Sequence, residues 1–493
     1  MTAGRTTAGR TLPAVAWLPV GAVAVALAAV LTATSGRYGY HRDELYFRML
    51  DPAWGYVDQP PLTPGLARAF TRMLGDTVEA MRVPATLSLV GAVLLAALLA
   101  RELGGRGGAQ VLAAGAFGTA ATPLIFGHTF LTASLDLVVW GGVLWCVARA
   151  LLADHRFWVV AGAVAGVGMY NKLLVGALLG ALAVGILVAG PRRALATPWP
   201  WAGAATAQVV GLPQLLYQAG HGWPQLAMGE ALRAANAADV RVDMWLFQLL
   251  TLGPPLAVVW VVGLVALWRR PAWRPLRGLV VAYPVLLAFT FAAGAQVYYA
   301  SGLVTAFLAA GAVVVAQWAR TTARRVAVVG LVTLNAVGCA LIALPLVPVT
   351  TLGETPVPDL NQTARDAVGW PDYVRQIEAV HDALPDADRE RSVVVTQNYG
   401  EAGAVDRFAA HLPVYSGHNA LHALGPPPDD ATVAVVVGDG VSAWSRSFAA
   451  CEVADRLDNG VDVDTEEQGV AVMICRDPVG GWDAVWPRLA HLD

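Results

Sequence analysis

Three carboxylates stand close together early in the chain, in a stretch that reads Tyr38-Gly-Tyr-His-Arg-Asp43-Glu44-Leu-Tyr-Phe and then Trp54-Gly-Tyr-Val-Asp58-Gln59-Pro60-Pro61-Leu62. A carboxylate accepts hydrogen bonds from hydroxyl groups and can take a proton from one as it reacts. Tyrosine and tryptophan rings offer flat faces on which a sugar ring can stack. The pattern therefore suits recognition of a polar, hydroxyl-bearing substrate. The same residues admit a plain structural reading, in which Asp43 and Glu44 simply begin a helix and offset its macrodipole by about 0.3–1 kcal/mol each.

The elements that must hold this stretch lie in lipid. Hydrophobic residues make up 56% of the 493 and charged residues only 14%, a composition no ordinary soluble chain has. The net charge of −3 conceals a division: up to residue 348 there are 24 basic and 12 acidic residues, and beyond it 9 and 24. The acidic polar part argues against nucleic acid as a partner. Four cysteines are too few for a disulfide scaffold, and Cys146 and Cys339 fall in apolar runs where they read as small hydrophobes.

Apolar stretches near the length of a bilayer span occur at about 13–34, 83–100, 109–127, 131–152, 200–218, 245–268, 279–294, 299–319 and 326–348. A longer run, 157–190, is interrupted at Asn171-Lys172 and is split into two short glycine-rich helices, which brings the expectation to eleven. Arginine placement agrees with that parity, because short cytoplasmic loops are enriched in basic residues. With Arg5 and Arg10 inside, the inner loops carry Arg101 and Arg106, Arg149 and Arg156, Arg192 and Arg193, the arginines of 269–277, and those of 320–325. Residues 35–82, 219–244 and 349–493 then face outward. The first span lacks a convincing small-residue cleavage site and reads as an anchor rather than a cleaved signal.

The expected fold is a polytopic α-helical membrane protein of about eleven transmembrane helices over 1–348, with a C-terminal extracytoplasmic α/β domain over 349–493. In that domain helix signals at Asp372–Leu384, Gly400–Ala410 and Val441–Ala449 alternate with β-rich runs at Ser392–Thr396, Ala431–Val437 and Val470–Cys475. Cys451 and Cys475 would lie on the oxidising side of the membrane, where a disulfide between them is expected; two buried thiols are the alternative. No 20–50-residue repeat and no GxxxxGK(S/T), HExxH or CxxC motif is present, which weakens the case for an ATP-driven pump or a zinc hydrolase. No ligand spacing demands a metal, although outward carboxylates could take a hard divalent cation.

The string Tyr40-His-Arg-Asp-Glu-Leu-Tyr-Phe, followed by Trp54-Gly-Tyr-Val-Asp-Gln-Pro-Pro-Leu, resembles the family 39 glycosyltransferases, the group that includes dolichyl-phosphate-mannose protein mannosyltransferases and lipid A aminoarabinose transferases. The resemblance continues through Ala100-Arg-Glu-Leu-Gly-Gly, Ser134-Leu-Asp136, Tyr170-Asn-Lys172, His221-Gly-Trp-Pro224 and Tyr298-Tyr299, then Gln397-Asn-Tyr-Gly-Glu-Ala-Gly403 and Ser416-Gly-His-Asn419. It implies the GT-C class, an inverting mechanism and a polyprenyl-phosphate-linked sugar as co-substrate. By that resemblance Asp43 matches the acidic residue assigned as general base, with Glu44 beside it. Asp58 matches the acidic position before the Pro-Pro step in the aminoarabinose transferases, and would bind acceptor or sugar. Gln59 stands where those relatives carry lysine, and Gln296 where many relatives do.

A leaving phosphate gains charge during transfer, so a cation should stabilise it. Lys172 is the only lysine in the chain, sits at the junction of two short helices, and matches the family's lysine-containing turn. Asp136, in the outward half of its span, should face a cavity or a cation such as Lys172. Tyr298 and Tyr299 could donate to phosphate or line a prenyl groove, or else belong to the interfacial aromatic belt. His221 and Trp223 could meet donor or acceptor. His418 has no assigned chemistry.

Together these readings point to sugar transfer from a polyprenyl-phosphate donor to an acceptor hydroxyl on the outer face of the cytoplasmic membrane. Arginine, alanine and glycine dominance suggests a GC-rich bacterial genome, hence decaprenyl or undecaprenyl phosphate, with mannose or a pentose such as arabinose as the leading sugars. The acceptor, a glycan, lipid or protein, is left open. The alternative is a transporter or flippase of a lipid-linked or polar solute, which would place charged or broken helices near the bilayer midplane and often carries an inverted repeat. A third reading, a membrane anchor presenting the acidic domain, leaves the first loop unexplained.

Overall fold

The structure, a computed structural model, describes residues 12–492. Arg5 and Arg10, on which the inward placement of the N-terminus draws, lie outside the described residues. The protein is a polytopic helical membrane protein followed by a small sheet-containing domain.

Six helices are long and apolar enough to cross a bilayer: Trp17–Thr34, Val78–Glu102, Thr132–Leu152, Pro271–Ala293, Ser301–Trp318 and Thr322–Ala343. Two further pairs are bent, Gly107–Gly118 with Ala121–His128 by 64° and Pro224–Leu250 with Pro254–Arg269 by 87°; each counted as one span, they raise the number to eight. Helices do occupy all eleven expected stretches, but length and composition support six to eight spans among the described residues. The 157–190 run divides into Phe157–Gly168 and Val175–Ala189. At 1.5 Å per residue these reach only about 18 and 22 Å, short of a ~30 Å hydrocarbon core. Pro198–Gly220 has the length, at 23 residues, but carries Gln208, Gln214 and Gln218 along it.

The outward loop expected at 219–244 is mostly helix. Gly222 and Trp223 take left-handed conformations, Pro224 opens the next helix, and Pro224–Leu250 then runs unbroken for 27 residues. The apolar run assigned to one span at 245–268 is interrupted at Thr251-Leu252-Gly253, where the chain turns sharply before Pro254.

Helices approach closely where glycines face each other, the packing that small residues allow in lipid. Gly185 on Val175–Ala189 abuts the backbone of Gly278, and Gly263 abuts that of Phe307 and Gly311, leaving no room for a β-carbon at either place.

The C-terminal domain carries a five-stranded sheet of β1 (Ser392–Thr396), β2 (Val414–Ser416), β3 (Val433–Val437), β4 (Phe448–Arg456) and β5 (Ala471–Pro478) in the order β2-β1-β3-β5-β4. β2, β1 and β3 run parallel, and β5 is antiparallel to both β3 and β4. β1 and β3 are buried throughout, which explains their valine-rich sequences without polar alternation. The helices expected over 372–384 and 400–410 appear as Trp370–Asp382 and Tyr399–Phe408. The 441–449 stretch instead gives one helical turn, Val441–Trp444, before β4 begins. Cys451 and Cys475 lie opposite each other on β4 and β5 and are joined by a disulfide. Cys146 and Cys339 are buried thiols within the helical part.

The first loop and the C-terminal domain share one hydrophobic cluster. Leu45, Tyr46, Phe47 and Met81 pack with Trp370, Ile377, Val435 and Val472 in a continuous buried group.

Candidate functional site

A cavity of about 470 Å³ opens at the polar end of the helices, where the first loop, the Asn171-Lys172 turn, helix Pro224–Leu250, the Gln296–Tyr299 turn and the C-terminal domain meet. Asp43, Asp58, Gln59, Lys172, Tyr298 and Tyr299 all line it.

The helix Arg42–Met49 starts with a reciprocal cap: His41 Nδ1 accepts from the Asp43 backbone N–H at 3.1 Å, and Glu44 Oε2 accepts from the His41 N–H at 2.9 Å. Asp43 points into the cavity, with its side chain 31% exposed. Its Oδ1 accepts a hydrogen bond from the Tyr399 hydroxyl at 2.9 Å. Tyr399 begins a helix of the C-terminal domain whose cap is the pair Asn398 and Glu401. Gly403, on that helix, lies directly against the backbone of Leu45, so the two helices dock tightly enough to set Tyr399 over Asp43.

Asp58 is held in parallel fashion. Tyr46 Oη donates to Asp58 Oδ1 at 2.9 Å and accepts from the Ala420 backbone N–H at 3.1 Å. Tyr46 and Tyr399 stand side by side, ring centroids 4.7 Å apart. Burial raises the Asp58 carboxyl to about 6, with the Tyr46 hydroxyl opposing the shift and the charge of Asp43 adding to it. Burial, and next the adjacent carboxylate, push both tyrosine hydroxyls well above their usual value, so each keeps its proton and remains a donor.

Glu44, paired with Asp43 in sequence, does not reach the cavity. It is fully buried, its carboxylate receives Arg82 Nε and Nη2 at 2.9 Å each, and the Phe130 N–H donates to it at 2.9 Å. Successive helical residues point about 100° apart, so an acid beside one that faces the cavity must face elsewhere. Here it anchors the helix to Val78–Glu102.

Lys172 occupies the break between Phe157–Gly168 and Val175–Ala189. Its Nζ donates to the Tyr298 hydroxyl at 3.3 Å and lies 5.3 and 5.0 Å from the ring centres of Tyr298 and Tyr299, a cation–π arrangement. Tyr298 and Tyr299 thus turn toward the cavity rather than forming an interfacial belt. Asp136, expected to face a cavity or a cation such as Lys172, does both: it lines a small adjoining cavity with Trp140, Tyr298 and Tyr299 and lies within electrostatic reach of Lys172, while Asn171 Nδ2 donates to it at 3.0 Å. The same Asn171 accepts from the Thr63 hydroxyl at 2.6 Å, and the Leu62 N–H donates to the Tyr170 carbonyl at 2.9 Å. The helix after the Pro-Pro step is thereby fastened to the lysine turn.

His221 is not brought to the cavity. It stacks on Tyr217 at 4.1 Å with its Nδ1 2.8 Å from that residue's carbonyl, while Tyr217 Oη donates to the Gly55 carbonyl at 2.8 Å. The break at Gly222-Trp223 redirects the chain, and Gln225, one turn later, lines the cavity in its place. Other cavity residues without a role assigned from sequence include Arg42, Tyr46, Asn171, Asn419, Glu466 and Tyr399. Arg42 forms an ion pair with Glu466 and lies 5.0 Å from the Tyr399 ring centre. Among the described residues, no group of three or more His, Cys, Asp or Glu is arranged to hold a metal ion.

Residues 58–217 match the family model described as dolichyl-phosphate-mannose-protein mannosyltransferase. No protein of curated function matches the chain in sequence. In fold, the chain is similar to ArnT from Cupriavidus metallidurans bound to undecaprenyl phosphate, at 16% identity, with 92% of this chain and 97% of that chain covered and a TM-score of 0.60. The apo state of the same protein gives 14% identity, the same coverage and a TM-score of 0.60. The apo oligosaccharyltransferase of Archaeoglobus fulgidus, at 12% identity, covers 81% of this chain and 64% of that one with a TM-score of 0.45, too distant in shape to carry an argument. The chain is therefore similar to GT-C glycosyltransferases over part of its sequence, and its fold is that of ArnT.

Proposed function

We propose that the protein transfers a sugar from a polyprenyl-phosphate-linked donor to an acceptor hydroxyl at the outer face of the cytoplasmic membrane, with inversion at the anomeric carbon. The observation that carries this reading is that Asp43 and Lys172, a carboxylate and the chain's only lysine, face one cavity at the polar end of a membrane-embedded bundle. The family-model match and the ArnT-like fold support it. The matched segment contains Asp58, Asp136 and Lys172 but not Asp43, so the role of Asp43 rests on its geometry and on the loop motif.

In the proposed step the acceptor oxygen bonds to the anomeric carbon from the face opposite the phosphate. Asp43 takes the hydroxyl proton, and the carbon–oxygen bond to phosphate breaks with its electron pair going to polyprenyl phosphate. Tyr399 fixes the Asp43 carboxylate, and Lys172 with Tyr298 stabilises the charge arriving on the phosphate. The departing phosphate is a stable anion and needs no general acid, so one carboxylate suffices, unlike the acid and base pair of most glycosidases. Asp58, held by Tyr46, is placed to accept from hydroxyls of sugar or acceptor. Glu44 serves as the anchor of the catalytic helix and touches no substrate.

The test uses membranes containing the protein and a panel of radiolabelled polyprenyl-phosphate sugars. Donor label should be consumed by the unaltered protein and not by Asp43→Asn at equal expression. Full turnover by Asp43→Asn removes the base assignment, and no turnover with any donor favours transport.

A further inference from the structure

Two cavities of the C-terminal domain take no part in the reaction just described. One, of about 450 Å³, is lined by Gln397, Asp439, Trp444, Arg446, Arg488 and His491 among others. The second, of about 280 Å³, shares Gln397, Asp439 and His491 with the first, and shares Arg42 and Glu466 with the cavity that holds Asp43. The three spaces therefore adjoin in series. The Arg42–Glu466 ion pair is common to the walls of the last two and stands where they meet.

A file of rings joins the walls of these cavities through the interior, with His418 fully buried in its middle. Tyr46 is 4.7 Å from Tyr399, Tyr399 is 4.7 Å from His418, and His418 is 4.5 Å from His491. One end of the file touches the carboxylates of the reaction cavity, and the other lines both C-terminal cavities.

The position in the sheet is also that of a binding crevice. Gln397 follows β1, Gly417 follows β2, and Asp439 lies two residues beyond β3, so the 450 Å³ cavity sits off the carboxyl ends of the parallel strands. The chain passes from β1 to β2 on one side and then to β3 on the other. Open α/β sheets bind ligands in the crevice where strand order reverses in this way. The lining chemistry is specific: two exposed arginines against one aspartate favour an anion, while Gln397 and Ser447 offer hydrogen-bonding groups to hydroxyls and His491 brings a ring to the wall.

We infer that these adjoining cavities form the acceptor's path to Asp43, and that the acceptor is a glycan bearing an anionic substituent. Arg446 and Arg488 hold the anion, and the reacting hydroxyl passes the Arg42–Glu466 pair to reach the base. The inference rests on the transferase reading above and deepens it by naming the acceptor class and its route.

The test compares two signals. Purified protein with radiolabelled polyprenyl-phosphate sugar alone reports slow release of label to water; added membranes from cells lacking the protein report transfer to the native acceptor. The doubly reversed variant Arg446→Glu with Arg488→Glu, both at exposed positions, should lose at least tenfold in transfer while release to water stays within twofold, and Arg446→Lys with Arg488→Lys should restore transfer. Carboxymethyl-dextran oligosaccharides should compete with transfer, and neutral dextran of the same size should not. Undiminished transfer by the reversed variant overturns the path. Equal competition by polyglutamate overturns the glycan assignment in favour of an acidic peptide. If the unaltered protein consumes no label from any donor, alone or with the added membranes, the transferase reading itself falls and takes this path with it.

Discussion

Replacing Arg82 by methionine tests whether the anchoring of the helix that carries Asp43 is as stringent as the geometry implies. Arg82 is 2% exposed and Glu44 0%, and the guanidinium supplies two of the four hydrogen bonds that the carboxylate receives. It also donates to the carbonyls of Ser35 at 2.6 Å and Gly39 at 2.8 Å, tying the end of the first span to the loop. Removing one partner of such a pair leaves a buried charge without compensation, a loss of about 3–5 kcal/mol. Removing both partners together leaves none, so Arg82→Met with Glu44→Met should be no less stable than Arg82→Met alone. The assay is thermal denaturation of detergent-solubilised protein followed by tryptophan fluorescence, with donor turnover measured on the same samples. Both single variants should denature earlier, and all three should lose turnover because Asp43 is no longer held over the cavity. A double variant whose loss equals the sum of the single losses would refute the reasoning, since independent sites add and coupled ones do not.

Three further outcomes are expected. Tyr46→Phe removes the hydroxyl that stabilises the ionised Asp58, so an activity limb near pH 6 should move to higher pH; a limb that stays in place shows that Asp58 does not govern it. Because the folded protein binds this proton more tightly than a free carboxyl of 3.8 does, the group's contribution to stability is greatest below that value and fades as pH rises through about 6. Lys172→Ala removes a charge-assisted contact worth about 1.5–3 kcal/mol and should weaken polyprenyl phosphate binding roughly 10- to 100-fold, measured by equilibrium binding of labelled lipid; unchanged affinity discards the phosphate role. Serine at both Cys451 and Cys475 opens a link across a sequence separation of 24, which loop-closure entropy values at about 3–4 kcal/mol, and the denaturation midpoint should fall accordingly.

Much of the candidate site was legible in the sequence because its parts are local. The spacing of Asp43, Asp58 and the Pro-Pro step lies within one loop, and Lys172 stands out as a lone lysine at a helix break. The split of the 157–190 run was legible from Asn171-Lys172. Glu44 could not be told from Asp43, because adjacency in sequence hides which of two helical neighbours faces inward. The 27-residue helix over 224–250 was hidden by its polar face, which reads as a loop when the cavity it lines is unknown. Tyr399 carries no local signal: its contact with Asp43, 356 positions earlier in the chain, arises only when its helix docks on the loop. β2 and β4 were missed for related reasons, β2 being three residues long and β4 largely exposed along its length.

The shared hydrophobic cluster also imposes an order on the protein's birth. A ribosome adding about 5–20 residues per second needs roughly 20–70 s to travel from Asp43 to Tyr399. For most of that interval, until Trp370 and its neighbours are made, Leu45, Tyr46 and Phe47 have no apolar surface from the C-terminal domain to cover them. The cavity that holds Asp43 therefore comes into being only as the last quarter of the chain arrives. A nascent chain stalled before that point would be embedded in the bilayer but chemically idle, with its aromatic loop open to capture by a chaperone or a protease.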